Sequence, residues 1–153
     1  MIKMVVLGLD QATSTGYAVS DETGKILTSG HITVQGTRGE KFVAFRNWLE
    51  QMLITVNPDI IAHERPHFRG DAATELCVGL CAIIAMSGTD HGIPVHSVQS
   101  MVLKKWATGN GRAEKADMVK AAQAFTEHTL NVKKDNDEAD AIHIARWGAL
   151  TCL

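Results

Sequence analysis

The chain has 153 residues, 45% hydrophobic and 21% charged, which is typical of one globular domain over residues 1–153. Its formal net charge of −2 excludes a polycation that binds nucleic acid along its whole length. Three scattered cysteines argue against a disulfide framework, and the longest apolar run, residues 76–86, is too short to span a bilayer. With no signal-like N-terminus, these features favour a cytoplasmic protein without a membrane partner.

The first part of the chain predicts three strands and a helix. Residues 2–9 form an almost unbroken apolar run, which is typical of a strand buried on both faces. Two further strands, 15–20 and 25–34, are joined by a tight turn. Apolar residues then recur at helical spacing over 40–56.

The rest of the chain alternates between strands and helices. Strands are predicted over 60–64 and 93–98, and helices over 71–87, 98–106, 113–128 and 137–150. A hairpin followed by alternating strands and helices predicts an α/β fold. We expect a mixed five-stranded sheet with helices on both faces.

Four carboxylates stand where such a fold would bring them together. Asp10 and Glu64 each end a predicted buried strand, so parallel pairing of these strands would place both at one edge of the sheet. Asp137 and Asp140 are three residues apart and share a face of the last helix. Converging carboxylates repel one another, and hard divalent cations such as Mg²⁺ or Mn²⁺ remove that repulsion. Two such ions about 4 Å apart can hydrolyse a phosphodiester.

Each carboxylate also has a purely structural explanation. Asp10 could open an Asx-turn, and Glu64 could pair with Arg65 on the surface. Asp137 and Asp140 could simply favour a helix N-terminus through the helix dipole. The joint pattern is more specific than any one member, so we interpret all four as catalytic metal ligands.

A cationic segment precedes the last helix. Residues 104–134 hold seven basic residues against three acidic ones. This balance suits a polyanionic substrate, although a solvated helix face would look the same. The loop "TGNG" at 108–111 could offer backbone N–H groups to phosphate at a helix N-terminus. The candidate DNA-binding residues here are Lys104, Lys105, Arg112 and Lys115.

Other residues leave alternatives open. Phe68 could stack on an unpaired base, with Arg69 beside it on DNA, or could be a core aromatic. His143 could ligate a metal or carry a proton, but a histidine satisfied locally on the helix is the better interpretation. Cys77 and Cys81 lack two further ligands, so we expect them to pack in the core.

The stretch around Asp10 admits a second interpretation. A strand, an aspartate and a turn of small polar residues also form the phosphate-binding loop of ATP-using actin-like and sugar-kinase folds. Such chains usually carry a second motif in a second domain. A chain of 153 residues has no room for one.

Four motifs resemble, in order, those of the RuvC family of Holliday-junction resolvases, within the RNase H-like superfamily. The resemblance runs from about residue 4 to residue 150. Two departures are "DQA" at 10–12, where the family commonly has Asp-Pro-Gly, and the polar "RPHFRG" at 65–70. The chain lacks the basic tail of many bacterial members and looks more like the short viral branch. The motifs are "LGLDQATSTGYAV", "DIIAHERPHF", "TGNGRAEKADMV" and "DEADAIHIA".

The resemblance implies a role for each of these residues. The four carboxylates correspond to the family's metal ligands, and Lys104 and Lys115 correspond to lysines implicated in DNA contact and catalysis. The implied activity is Mg²⁺-dependent nicking of branched DNA that leaves 5′-phosphate and 3′-hydroxyl ends. The alternatives are a related nuclease acting on RNA, flaps or forks, and a junction-binding module without turnover.

A homodimer is expected through the helix at 71–87. Its apolar residues cover nearly every face, whereas a helix that covers one side of a sheet needs only one apolar stripe. Gly79 would let a second backbone come close. A two-fold dimer suits symmetric nicking of a four-way junction, and RuvC-like proteins are dimers. The alternative is that helices of the same chain cover all these faces.

Overall fold

The computed structural model describes residues 3–66 and 70–153. A five-stranded sheet has the order β3-β2-β1-β4-β5. β1, β2 and β3 are antiparallel neighbours, and β4 and β5 run parallel to β1. The predicted mixed five-stranded sheet is therefore confirmed. The strands are β1 (Val5–Asp10), β2 (Ser14–Asp21), β3 (Ile26–Thr33), β4 (Ile60–Glu64) and β5 (Val95–Val98).

Helices cover both faces of this sheet, as predicted. One face carries α1 and α2 over a core that includes Leu7, Leu9, Phe45 and Leu80. The other face carries α5, with α4 and α3 packed beside it. The helices are α1 (Arg38–Val56), α2 (Asp71–His91), α3 (Ser100–Thr108), α4 (Lys115–Ala122) and α5 (Asn136–Thr151).

The predicted helix over 113–128 was too long. α4 ends at Ala122, and a single 3₁₀ turn, Gln123–Phe125, follows it. The side-chain amide of Gln123 donates to the carbonyl of His128 at 2.8 Å and accepts from the N–H of Leu130 at 2.8 Å. These bonds turn the chain back on itself, so the helix stops before the end of its apolar pattern.

The helix predicted over 71–87 continues to His91. Gly92 ends it in the left-handed conformation, with φ of 67°, and donates to the carbonyls of Gly88 and Thr89. At 21 residues α2 is long and apolar enough to span a membrane by length and composition alone, unlike the shorter run at 76–86. Only 22% of its most apolar window is buried within the chain. Core helices of globular proteins reach the same length and hydropathy, so α2 alone does not indicate a membrane span.

α5 lies unusually close to the sheet because two glycines face it. A Cβ on Gly8 of β1 would lie 2.5 Å from the backbone nitrogen of Ala145. A Cβ on Gly16 of β2 would overlap the backbone carbonyl of Asp137 and come within 2.8 Å of the nitrogen of Glu138. The glycines therefore set the position of the helix that carries Asp137 and Asp140.

Candidate active site

The four predicted carboxylates meet in one cleft. β1 and β4 pair in parallel with Leu9 opposite His63, so the next residues, Asp10 and Glu64, leave the same edge of the sheet side by side. α5 packs on β1 and β2 and brings Asp137 and Asp140 to the same cleft. Oxygen atoms of Asp10, Glu64 and Asp140 lie within 4.8 Å of one another. The side chain of Asp137 is within hydrogen-bonding reach of Asp10. The convergence expected from the strand ends is thus present.

The carboxylates lie at the wall of a cleft of about 550 Å³. Lys104, Arg112 and Lys115 line the same cleft, whereas Lys105, one residue along α3, does not. Phe68 and Arg69 lie outside the described residues, so their predicted contacts with DNA stay predictions. The cleft therefore combines the four predicted carboxylates with the cationic side chains of Lys104, Arg112 and Lys115.

Two of the carboxylates, Asp10 and Asp140, hold their protons more tightly than usual in the absence of a cation. Burial, and then the charges of Asp140, Glu64 and Asp137, raise the pKa of Asp10 well above its usual range. Burial and the charges of Glu64 and Asp137 raise the pKa of Asp140 to about 7, although Lys104 and Lys115 oppose the rise. Because these buried negative charges repel one another, the site is stabilised either by protons or by a bound cation. A divalent ion neutralises two of the charges at once. Its donors are all oxygens, which fits Mg²⁺ or Mn²⁺.

These shifts predict how stability depends on pH in EDTA. Asp140 binds its proton more tightly in the folded than in the unfolded chain, so stability falls as pH rises from about 4 to about 7. Asp140→Asn should reduce this dependence, leaving the part that Asp10 contributes, and should melt higher than the wild type at pH 8. The difference should shrink at pH 5. Thermal melting in EDTA measures both, and a lower melting temperature for the variant at pH 8 would contradict the assignment.

The loop before α4 differs from its expected role. The N–H groups of Asn110 and Arg112 donate within the loop, to Thr108 Oγ1 and to Asn110 Oδ1. The N-cap of α4 is Glu114, whose N–H donates to the carboxylate of Asp117. The N-terminus of α4 is therefore capped by the carboxylates of Glu114 and Asp117, which leaves little reason for a phosphate to bind there. The cationic side chains of the cleft are better placed than this backbone to contact phosphate.

Gln11 is a residue of the site that the sequence interpretation missed. It is buried, and its Nε2 donates to the carbonyl of Glu64 at 2.5 Å and to Cys81 Sγ at 3.1 Å. It therefore ties the end of β1 to the end of β4 and to α2, directly beside the two strand-end acids. The signal in the sequence was the departure from Asp-Pro-Gly at 10–12. Cys81, expected as plain packing, is part of this contact.

His143 does not face the cleft. Its Nε2 lies 2.9 Å from the carbonyl oxygen of Met118, between α5 and α4, and the ring is almost fully buried. Burial lowers the pKa of His143 and keeps the imidazole neutral. His143 is thus held through Nε2 by α4 rather than locally on its own helix, and it takes no part in the cleft.

Comparison with known proteins agrees with this geometry. The family model described as "Crossover junction endodeoxyribonuclease RuvC" matches residues 6–146. The chain belongs to the RuvC family. It is therefore a crossover junction endodeoxyribonuclease by family. The match runs from the first strand into the last helix, which decides against the ATP-binding interpretation.

Relatives and solved structures match nearly the whole chain. RuvC of Rickettsia conorii is 30% identical over 158 residues, covering 98% of this chain and 97% of the relative. RuvC of Alkaliphilus oremlandii is 28% identical over 149 residues, covering 93% and 90%. Thermus thermophilus RuvC in complex with Holliday junction substrate superposes with a TM-score of 0.80 at 20% identity, covering 97% and 94%. Yeast mitochondrial resolvase Ydc2 gives 0.69 at 16% identity, covering 94% and 77%. The RuvC family members share the fold seen here.

Proposed function

We propose that this chain nicks four-way DNA junctions symmetrically by metal-dependent phosphodiester hydrolysis. The observation that supports this most is the convergence of four carboxylates from three distant segments in one cleft. Membership of the RuvC family supports a junction substrate. We further propose that residues 1–153 act as a single nuclease domain in a reducing, cytoplasmic compartment, which suits the three free cysteines.

Asp10, Glu64, Asp137 and Asp140 would hold two Mg²⁺ ions, with Mn²⁺ able to substitute. When bound, such ions supply Lewis acidity for the attacking water and for the leaving oxygen. The rigid ends of β1 and β4 keep two of the carboxylates fixed, and the close packing of α5 fixes the other two. The chain's own contribution is thus to position charge before the substrate arrives.

Lys104 and Lys115 are proposed to contact the DNA backbone, and Lys115 also to assist catalysis. Both line the cleft, and both lie close enough to Asp140 for their positive charges to oppose the rise in its pKa. Arg112 lines the same cleft, so it belongs to the proposed DNA-binding set. Lys105, Phe68 and Arg69 belong to that set on the sequence pattern alone. A phosphate bound at the carboxylates would therefore share the cleft with Lys104, Arg112 and Lys115.

Lys104→Ala and Lys115→Ala should each weaken junction binding and make it less sensitive to salt. Each lost phosphate contact should reduce the slope of log affinity against log salt by about one. Binding titrations at several salt concentrations with catalytically inactive protein measure this. Lys41→Ala, on the opposite face of the sheet, is the matched control and should not change the slope. Unchanged slopes for both cleft lysines would place the DNA elsewhere.

We also propose a homodimer through the exposed apolar side of α2. Val78 and Met86 are 50% and 61% exposed and lie on the side of the helix that faces away from the sheet. One detail of the expected interface, the role of Gly79, was wrong. A Cβ on Gly79 would overlap the ring of Phe42 in the same chain, so this glycine serves α1–α2 packing. Ile84 is fully buried in the core and cannot contact a partner.

Met86→Glu should therefore produce monomers that fold normally but no longer make paired nicks. The substitution places a charge in an apolar interface and leaves the core untouched. Light scattering at micromolar concentration should report about twice the chain mass for the wild type and one chain mass for the variant. Leu27→Glu, similarly exposed on the edge strand β3, is the control. A monomeric wild type, free and on junction DNA, would contradict the dimer.

The proposed function is tested with a panel of labelled substrates. A four-way junction, a flap, a linear duplex and an RNA duplex are incubated with the protein in Mg²⁺ or in EDTA. Metal-dependent nicking of the junction above all others is expected. Equal or faster cleavage of RNA or flaps would favour the broader nuclease, and binding without products in Mg²⁺ would contradict an active enzyme.

A further inference from the structure

A second group of side chains of metal-ligating types lies on the side of α5 away from Asp137 and Asp140. His31 on β3, Asp135 at the N-cap of α5, and Glu138 in its first turn each offer one ligand atom, and these atoms lie within 4.8 Å of one another. The Nε2 atom of His128 lies 2.6 Å from Glu138 Oε2. Two imidazoles and two carboxylates thus converge from three separate segments of the chain.

The carboxylate of Glu138 is the buried centre of this group. Its side chain is only 5% exposed, and a buried carboxylate is costly unless a cation or several donors neutralise it. Ser29 Oγ donates to the same oxygen at 2.7 Å. The other nitrogen of His128, Nδ1, is 2.9 Å from Thr126 Oγ1, which fixes the plane of the ring. Asp135 is held by the N–H of Asn131 at 2.7 Å.

The donor set differs from that of the catalytic cleft. Imidazole nitrogen with carboxylate oxygen suits Zn²⁺ and similar transition metals, whereas the cleft offers only oxygens and suits Mg²⁺. Four-coordinate Zn²⁺ binds nitrogen and oxygen at about 2.0–2.2 Å. The ligand atoms of His31, Asp135 and Glu138 lie within 4.8 Å of one another, and His128 lies beside Glu138 Oε2. Side-chain movements bring this set to that geometry, and His31 is exposed and has room to make them.

We propose that His31, His128, Asp135 and Glu138 form a zinc-class metal site that is separate from the catalytic centre. An ion bound there ties β3 and the 126–135 loop to the first turn of α5. The same turn carries Asp137, and Asp140 follows in the next turn. Metal binding therefore stabilises the position of the helix that supplies half of the catalytic carboxylates.

Co²⁺ serves as the spectroscopic probe, added to EDTA-treated, dialysed full-length protein in excess Mg²⁺ that occupies the oxygen-only cleft. The proposal predicts one equivalent of bound Co²⁺ with the visible absorption of a four-coordinate site. Zn²⁺ at about 100 times its dissociation constant should raise the melting temperature by about 5 °C or more. The His31→Ala/His128→Ala double variant should lose both effects.

Two controls separate this site from others. His91→Ala removes a histidine that pairs with Glu50 on the opposite face and should leave both effects unchanged. Asp10→Asn should retain the Co²⁺ spectrum although its cleft is damaged, so failure of the proposed function and failure of this site are distinguishable. No Co²⁺ bands in the wild type, or bands that persist in the double histidine variant, would overturn the proposal. Melting of each variant in EDTA confirms that it folds.

Discussion

Asp10→Asn should abolish junction cleavage while leaving junction binding intact or tighter. The side chain stands at the end of a buried strand with three other carboxylates around it, so its loss removes a ligand charge from the centre of the site. Loss of about 4 kcal/mol of transition-state stabilisation corresponds to a rate about 10³-fold slower. Binding should not suffer, because the substitution also removes a negative charge that repels phosphate.

The measurement compares single-turnover cleavage in Mg²⁺ with binding in EDTA. Asp90→Asn, an exposed carboxylate on α2, is the matched control and should cleave at the wild-type rate. The Asp10→Asn variant should also melt no lower than the wild type in EDTA at pH 8, because it relieves repulsion among buried carboxylates. Full nicking activity in a folded Asp10→Asn variant would contradict the role of Asp10 as a metal ligand.

Gly16→Ala should be the most damaging single-methyl change outside the cleft. The new Cβ would overlap the backbone carbonyl of Asp137, and backbone atoms cannot move aside as a flexible side chain can. α5 must shift away from the sheet, and overpacking of this kind costs about 1–3 kcal/mol. We expect a melting temperature lower by about 3–10 °C and a large loss of cleavage.

Gly39→Ala is the matched control for this change. Gly39 lies in α1 with nothing within 4 Å of a Cβ, so alanine should be neutral or stabilising there. If Gly16→Ala is fully folded at the assay temperature, its cleavage rate should still be well below that of the wild type, because Asp137 is displaced. Wild-type melting and cleavage for Gly16→Ala would show that close packing of α5 does not position Asp137.

The meeting of the four carboxylates could be predicted because their positions follow from simple geometry. A buried strand that ends on an acid places that acid at the edge of the sheet, and parallel pairing of β1 with β4 aligns two such ends. Spacing of three on a helix aligns Asp137 with Asp140. The acids at the strand ends and the spacing of Asp137 and Asp140 can both be found by inspecting the sequence.

Other features depend on contacts that periodicity does not contain. The pattern after Ala122 continues to look helical, but the side chain of Gln123 bonds to the backbone beyond it and ends the helix. Likewise, α2 is apolar on most faces, and only the packed structure shows that Gly79 faces Phe42 and that Val78 remains exposed.

The second metal-binding group was invisible to sequence analysis for the same reason. His31 and His128 stand in a strand and a loop far apart along the chain, with no spacing typical of a metal motif. In the sequence Glu138 stands between Asp137 and Asp140, but in the helix it lies on the opposite side from both. Only the antiparallel placement of β3 beside β2, with α5 across both, brings these residues together.

The central claim is that the four carboxylates of the cleft hold the catalytic metal ions. Anomalous diffraction from crystals soaked in Mn²⁺, at a concentration that supports cleavage, tests it most directly. The account predicts two Mn²⁺ peaks about 4 Å apart among Asp10, Glu64, Asp137 and Asp140, and their loss in the Asp10→Asn variant. Mn²⁺ absent from this cleft in active protein, or bound only at the His31–Glu138 group, would contradict it.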